Sequence, residues 1–443
     1  MIFIQKFTKM LLRKLLLFFV VGALDAHALE PYPEKTNVSN SSYFPYKGDI
    51  FTGFITVNTT TGSNLFYSLY GFNNGSISQD APLIIWLDGG PGSASVSGPL
   101  QHFGPISVGP KEDNFTLAPR NLTWTNLGHL LTIDQPISTG FSNAFGGEVV
   151  KLTDQATVHF QNFIARFYQL FPTFLNNDLY IVGESYAGHY IPAFAHQLLS
   201  NTSNSYIKLK GVVLGAPWTD GLRQVPTEGD FYYYASVANR KIRDYMHQIE
   251  VTAYEALLLG DYEYAGDLNN YKGDYARQLT LVGSLNYRKF TTDPRHPGDG
   301  TIDWLNLTST QLLLGIPNKV NYVDSNHTIY SNMNADIVMS YMDRIPLLLQ
   351  NIKVLSYACQ DDTAVQYTGI ANFMRLVNWD GMHEIEKQQK KLWNVNGKLA
   401  GFYKSYQNYT ALTILASGHV APNDQPEATY DLLNRFINDL PFN

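Results

Sequence analysis

Apolar residues in this chain fall into short continuous runs, separated by stretches where they recur at helical spacing. Leu83–Leu87, Leu130–Ile133, Leu179–Val182, Gly211–Leu214 and Val354–Tyr357 are runs of the first kind. Strands buried on both faces read this way, and they indicate a mostly parallel sheet covered by helices. The spacing predicts a helix over Thr153–Leu170, with Ala156, Phe160, Phe163, Phe167 and Leu170 on one face and Thr153 or Asp154 placed to cap it. A second helix is expected over Ala187–Ser200, through Ile191, Phe194, Ala195 and Leu198. Phe51–Val57 and Asn64–Tyr70 read as earlier strands, after a polar arm over 29–45 marked by Pro31 and Pro33. From 221 to 347 the pattern is Tyr-rich and helical. The α/β rhythm then returns, with a helical stretch near Gln366–Leu376, a polar helix near Glu384–Leu392, a strand over Ala411–Leu415 and a last helix over Pro426–Ile437. The expected architecture is therefore an α/β domain over 29–220 and 348–443, interrupted by a mainly helical cap insertion over 221–347.

The first 28 residues differ in kind. Lys6, Lys9, Arg13 and Lys14 precede the apolar run Leu15–Leu24, and Ala26-His27-Ala28 follows as a small-x-small cleavage pattern. Charge, length and order are those of a secretory signal peptide, and the run is half of the ~20 residues that a spanning helix needs. Its removal, with four cations and one anion, takes the net charge from −7 to −10. That balance excludes a general nucleic-acid binder. The hydrophobic fraction of 44% and charged fraction of 16% exclude disorder over most of the chain. No other run is long enough to span a membrane, so the expected location is the secretory pathway, either secreted or in a lysosome-like lumen. Sequons at Asn37, Asn40, Asn58, Asn74, Asn114, Asn121, Asn201, Asn306, Asn326 and Asn408 agree with that route as glycosylation sites. Cys359 is the one cysteine, which excludes an intrachain disulfide and a thiolate metal cluster.

The candidate chemistry begins at Gly183-Glu184-Ser185-Tyr186-Ala187-Gly188, between an expected strand and an expected helix. That context suits a nucleophile elbow, in which a tight turn presents Ser185 at the carboxyl end of the sheet. The α/β-hydrolase order then requires an acid and a histidine, in that sequence. The acid falls after the strand Val354–Tyr357, where Asp361 and Asp362 compete, and the apolar Ala364-Val365 beyond favours Asp362. His189, His196, His247, His296 and His327 come before the acid and so are out of order. Of the two that follow it, His383 sits in a charged stretch that reads as a solvated helix face. His419 sits after a strand, on a loop marked by Gly418 and Pro422, and is the expected base.

Acyl transfer also needs backbone N–H groups aimed at the developing oxyanion. The loop Asp88-Gly89-Gly90-Pro91-Gly92 follows a strand and lets backbone approach a substrate. Gly90 and Tyr186 are the expected donors. A phosphate loop is the other use of such glycines, but neither G-x-G-x-x-G nor a G-K-[S/T] ending is present.

Four motifs in order resemble the serine carboxypeptidases, and the C-terminal part is most similar to the vitellogenic-like branch. They are Trp86-Leu87-Asp88-Gly89-Gly90-Pro91-Gly92, Ile133-Asp134-Gln135-Pro136 with Thr139-Gly140-Phe141-Ser142, Gly183–Tyr190, and Gly418-His419 with Pro422 and Asp424-Gln425-Pro426. The resemblance implies an α/β-hydrolase fold, catalysis by Ser185, Asp362 and His419, and oxyanion donation by Gly90 and Tyr186. It also implies a subsite for the substrate's free carboxylate at Asp88, Gly89, Glu184 and His102. Two of these depart from the family: Asp88 replaces an Asn, and His102 replaces a Glu. An ionised Asp88 beside Glu184 would repel a carboxylate, whereas acid pH would let one carboxyl donate and would charge His102. Ser93 stands where a half-cystine is common, and Cys359 where glycine is usual.

The expected activity is release of C-terminal amino acids from peptides and proteins through an acyl-enzyme, at acid pH, by a monomer or homodimer without metal or organic cofactor. The alternatives are an acyltransferase or esterase using the same triad, and a silent binding protein on the same scaffold.

Overall fold

The computed structural model describes residues 32–39, 43–279, 300–317 and 319–442. The expected signal peptide and the sequon at Asn40 lie outside the described residues. The chain divides into Met1–Pro33 and a large compact unit, Glu34–Asn443, which carries everything below.

Thirteen strands are described. They are β1 Thr36–Asn37, β2 Ile50–Thr56, β3 Asn64–Tyr70, β4 Leu83–Leu87, β5 Ile106–Val108, β6 Leu117–Pro119, β7 His129–Ile133, β8 Asp178–Glu184, β9 Lys208–Gly215, β10 Lys353–Cys359, β11 Lys391–Val395, β12 Lys398–Tyr406 and β13 Tyr409–Ile414. Eleven of them form one sheet in the order β1-β2-β3-β7-β4-β8-β9-β10-β13-β12-β11, and β5 with β6 makes a separate ribbon. The six central strands from β7 to β13 run parallel. Antiparallel strands extend both edges. A parallel centre explains the unbroken apolar runs, since every residue of β4 and β7 is buried.

Helices Thr153–Leu170 and Ala187–Ser200 form over the residues expected. Their apolar stripes meet, with the Phe160 and Phe194 rings stacked at 4.3 Å. Burial of each such ring stabilises by roughly 1.5–3 kcal/mol. The cap differs from the expectation. Gln155 Oε1 accepts the N–H groups of Lys151 and Leu152, while the Thr153 N–H and hydroxyl turn to Asp336.

The expected polar helix near Glu384–Leu392 is largely a misreading. Helix Met382–Lys387 is followed at Lys391 by β11, and β11 with β12 forms an edge hairpin. The hairpin turns at Asn396 and Gly397, both at positive φ. Asn-Gly between short runs is the strongest local hairpin signal, and it outweighs the weak helical pattern before it. β11 is half exposed, so its apolar pattern is thin.

Between 221 and 347 the described elements are helical. The longest, Arg240–Leu259 and Tyr262–Leu279, are joined at Gly260. Lys272 is buried there, 3.1 Å from Glu228, and donates to the Val225 carbonyl at 2.7 Å. The stretch 324–326 pairs with the loop after β4. Ala94 N–H donates to the Asp324 carbonyl at 2.8 Å and Asn326 N–H to the Gly92 carbonyl at 2.9 Å, flanking an antiparallel bridge between Ser93 and Ser325.

Candidate active site

Ser185 stands directly after β8, near the centre of the parallel strands, with φ of +65°. A non-glycine residue there stores of order 1–3 kcal/mol of backbone strain, so its surroundings must hold it. Ser185 N–H donates to the Gly215 carbonyl, and its own carbonyl accepts from Gly188 and Trp218, each at 2.9 Å. The turn leaves no room at Gly183, where a Cβ would lie 2.4 Å from the Leu87 carbonyl oxygen and 2.8 Å from Ala187 Cβ. A small residue at Ala187 therefore meets the steric demand of the turn.

The two competing aspartates separate in space. Asp362 is fully buried, and its Oδ2 is 2.8 Å from His419 Nδ1. Its Oδ1 accepts the N–H groups of Ala364 and Val365 at 2.8 and 2.9 Å. These partners fix the orientation of the carboxyl group. Asp361 uses its backbone N–H on Ser417. Of the late histidines, His383 has 77% of its side chain exposed beside Glu384, whereas His419 is buried. Loops at the carboxyl ends of neighbouring parallel strands β4, β8, β10 and β13 thus bring the expected residues to one edge.

The loop after β4 packs directly on the elbow. A Cβ on Gly89 would lie 2.5 Å from Tyr186 N and 2.8 Å from Ser185 Cβ. Gly90 has φ of +103°. Among the described residues, neither the Gly90 nor the Tyr186 N–H has an internal acceptor. Asp88 Oδ2 accepts the Trp86 indole N–H at 2.7 Å, and Asp88 N–H donates to Ser95 Oγ.

Ser185, Tyr186, His419, Gly90 and all four expected carboxylate-subsite residues (Asp88, Gly89, Glu184 and His102) line one cavity of about 630 Å³. Residues of the helical stretch 221–347 also line it, among them Asn270, Lys272, Arg277 and Tyr330. Negative charge collects beneath it. Burial pushes the Tyr357 phenol far up, reinforced by Glu184, Cys359, Asp362 and Asp88. Burial likewise raises the Asp134 carboxyl to about 7, against N–H bonds from Phe141 and Val96 and with help from Asp88. A separate cavity of about 100 Å³ lies between helix Tyr367–Met374 and β12–β13, lined by Ile370, Met374 and Phe402.

Sequence reasoning missed two supporting groups. Arg120 places its guanidinium on five backbone carbonyls, those of Pro99, Leu100, Gln101, Gly104 and Ile106, at 2.7–3.2 Å. It thereby holds the turn that carries His102. Asp336, in the insertion, bonds beneath the elbow to Tyr186. The local signal for Asp336 is a lone acid between apolar Met333 and Ile337, which names no partner.

The sequons also divide. Asn37, Asn74, Asn114 and Asn121 are exposed. Asn306 Nδ2 donates to the carbonyls of Ile302 and Tyr322 while its Oδ1 accepts the Tyr322 N–H. Asn58, Asn326 and Asn408 donate Nδ2 to Glu148, Ser138 and Leu349.

The central parallel strands, with the strained serine after β8 and the buried Asp–His pair at their carboxyl ends, form an α/β-hydrolase fold. The sequence profile of serine carboxypeptidases, peptidase family S10, matches residues 42–439, and the chain belongs to that family. It is a serine-type carboxypeptidase by that membership. A Dictyostelium discoideum protein named "Probable serine carboxypeptidase CPVL" is 34% identical over 403 residues, covering 88% of this chain and 79% of its own length. The human protein of the same name is 30% identical, covering 92% and 89%. The venom serine carboxypeptidase of Apis mellifera is 30% identical, covering 88% and 85%. In structure, the prohormone-processing carboxypeptidase Kex1 of Saccharomyces cerevisiae superposes with a TM-score of 0.76 at 21% identity, covering 90% of this chain and 93% of its own. That likeness speaks for the fold. No helix among the described residues is long and apolar enough to cross a membrane.

Proposed function

We propose that the enzyme removes single amino acids from free peptide C-termini through an acyl-enzyme on Ser185, and that it works best at acid pH. The observation that carries this reading is the 2.8 Å bond between His419 Nδ1 and buried Asp362, with His419 and Ser185 on one cavity. With Nδ1 committed to Asp362, Nε2 takes the proton of Ser185 Oγ as that oxygen attacks the last peptide carbonyl. Gly90 and Tyr186 N–H groups receive the oxyanion. His419 then passes the proton to the leaving amino group as the C–N bond breaks, and water hydrolyses the resulting ester. Asp362 holds the imidazolium through Nδ1. These steps call on no metal or organic cofactor.

Asp88, Gly89, Glu184 and His102 form the subsite for the terminal carboxylate. Glu184 is buried and Asp88 is anchored by Trp86, so neither acid swings far into solvent. Protonation of one of them turns a repelling acceptor into a donor, which favours acid pH. The helical stretch 221–347 serves as a cap that shapes the cavity. The protein travels the secretory route, is glycosylated and meets its substrates in a lumen or outside the cell.

Amino-acid release from blocked dipeptides between pH 4 and 8, for wild type and Ser185→Ala, tests the reading. The expected result is release with an acid optimum that falls by about 10⁴-fold or more in the variant. Absence of release from wild type, with fluorophosphonate labelling of Ser185 retained, would replace it with an esterase or acyltransferase.

A further inference from the structure

Asp336 lies in the short helix Asn334–Ile337 of the insertion, yet its carboxylate sits fully buried beneath the elbow. Oδ1 accepts the Thr153 N–H at 3.0 Å and the Tyr341 hydroxyl at 2.8 Å. Oδ2 accepts the Thr153 hydroxyl at 2.6 Å and the Tyr186 phenol, and His189 Nδ1 is 3.5 Å away. One carboxylate therefore joins the first turn of helix Thr153–Leu170, the residue after the nucleophile, and the end of the insertion. The helix start has unpaired N–H groups and a positive dipole end, and a buried anion answers both. Burial alone would raise this carboxyl, but nearby His189 and the bonds from Thr153 and Tyr186 outweigh it and hold it below the usual range.

The consequence concerns the peptide between Ser185 and Tyr186. Its Ser185 side is fixed through Gly215, Gly188 and Trp218. Because the peptide is planar, the Ser185 carbonyl held by Gly188 and Trp218 also sets the direction of the Tyr186 N–H, which has no internal acceptor among the described residues. The side chain of residue 186 gives that peptide a second anchor. The ring packs edge-on to Tyr190 at 4.9 Å and against His189 at 4.5 Å, and the phenol ends on Asp336. A tyrosine has two side-chain torsions, so anchoring the far end of the ring constrains the backbone that bears it. We infer that Asp336 is a positioning residue for the reaction: by holding the Tyr186 phenol, it keeps the Tyr186 end of that peptide, and so its N–H, in place for the oxyanion. The inference rests on the reading of that N–H as an oxyanion donor. It makes the helical insertion a contributor to the chemistry as well as a wall of the cavity.

A purely structural Asp336 would lower the melting temperature and leave turnover per folded molecule unchanged. Positioning instead lowers kcat while KM holds, because a misaimed donor weakens only the transition state. The test compares wild type, Tyr186→Phe, Asp336→Asn and the double variant, well below each melting temperature. Its readouts are kcat and KM on a blocked dipeptide and the rate of phosphonylation by a fluorophosphonate. Each single variant is expected to lose about 10- to 100-fold in kcat and in phosphonylation rate, with KM within about twofold. The double variant is expected to be no worse than the poorer single one, since both cut the same tether. A folded Tyr186→Phe enzyme with wild-type kcat overturns the inference, as does a multiplicative double variant. If Asp336→Asn does not fold, Tyr186→Phe, which removes one hydroxyl, decides alone. If wild type releases no amino acid, the peptidase reading fails, and the phosphonylation rates still judge Asp336.

Discussion

At the scale of single residues, the same side chain type does different work according to what its polar atoms touch. Ten asparagines carry the sequon, but Asn306 uses both Nδ2 hydrogens and its Oδ1 on backbone within the insertion. A glycan on Nδ2 would break those bonds. Glycopeptide mapping of the enzyme made in a eukaryotic secreting host is therefore expected to find Asn74, Asn114 and Asn121 occupied and Asn306 bare. Asn306→Gln should destabilise by about 1–3 kcal/mol, through part-buried groups left unpaired, and Asn74→Gln by less than about 0.5 kcal/mol. A glycan on Asn306 of active enzyme would refute this division. The choice between Asp361 and Asp362 has the same character: adjacent in the chain, they differ in that Asp362 meets His419, 57 residues away.

At the scale of elements, local patterning carried far. Helices Thr153–Leu170, Ala187–Ser200 and Pro426–Ile437 and strands Asn64–Tyr70 and Leu83–Leu87 lie where their periodicity puts them. Each of them buries a face whose pattern is strong. The edge hairpin β11–β12 was hidden because one strand is half exposed and its alternation is weak. The pairing of 324–326 with the loop after β4 has no local signal at all. It does make a prediction: Ser93 and Ser325 form an antiparallel bridge, a relation that puts Cα atoms about 4.5–5.5 Å apart, within the range a disulfide spans. The double variant Ser93→Cys/Ser325→Cys should cross-link on oxidation and gain roughly 2–4 kcal/mol, read as a rise in melting temperature that reductant reverses. Equal melting temperatures with and without reductant would mean that the two loops are not held as described.

At the scale of the whole molecule, stability should depend on pH through carboxyls that the fold buries. Asp134 lies under the loop after β4 and is fully buried, with its carboxyl raised from 3.8 to about 7. The folded state therefore binds a proton more tightly than the unfolded chain. Its contribution is fully present below about pH 4 and is lost as pH rises through about 7, with a size on the order of 4 kcal/mol. Asp220 and Glu250 are raised by burial as well and act in the same direction. Glu148 opposes them at the acid end. Bonds from Ser63, Thr61 and Asn58, with His159, hold it at about 2 despite burial, so its contribution is lost only as pH falls from about 4.5 through 2. Melting temperature is expected to fall between pH 5 and pH 8 in wild type and to fall less in Asp134→Asn. Parallel pH profiles for the two would exclude Asp134 as the group responsible.

By itself the sequence determined the α/β class, most elements and the family, because each rests on periodicity or on residues within a few positions of one another. It favoured Asp362 over Asp361 without naming the contact that separates them, misplaced the hairpin and was silent on Arg120 and Asp336. Those were decided only by tertiary structure. The Arg120 guanidinium meets the turn carrying His102 from 14 to 21 positions away, and Asp336 meets Tyr186 from 150 positions away. A hydrogen bond depends on where two groups end up in space, and over such separations neither hydrophobic period nor local turn chemistry encodes it.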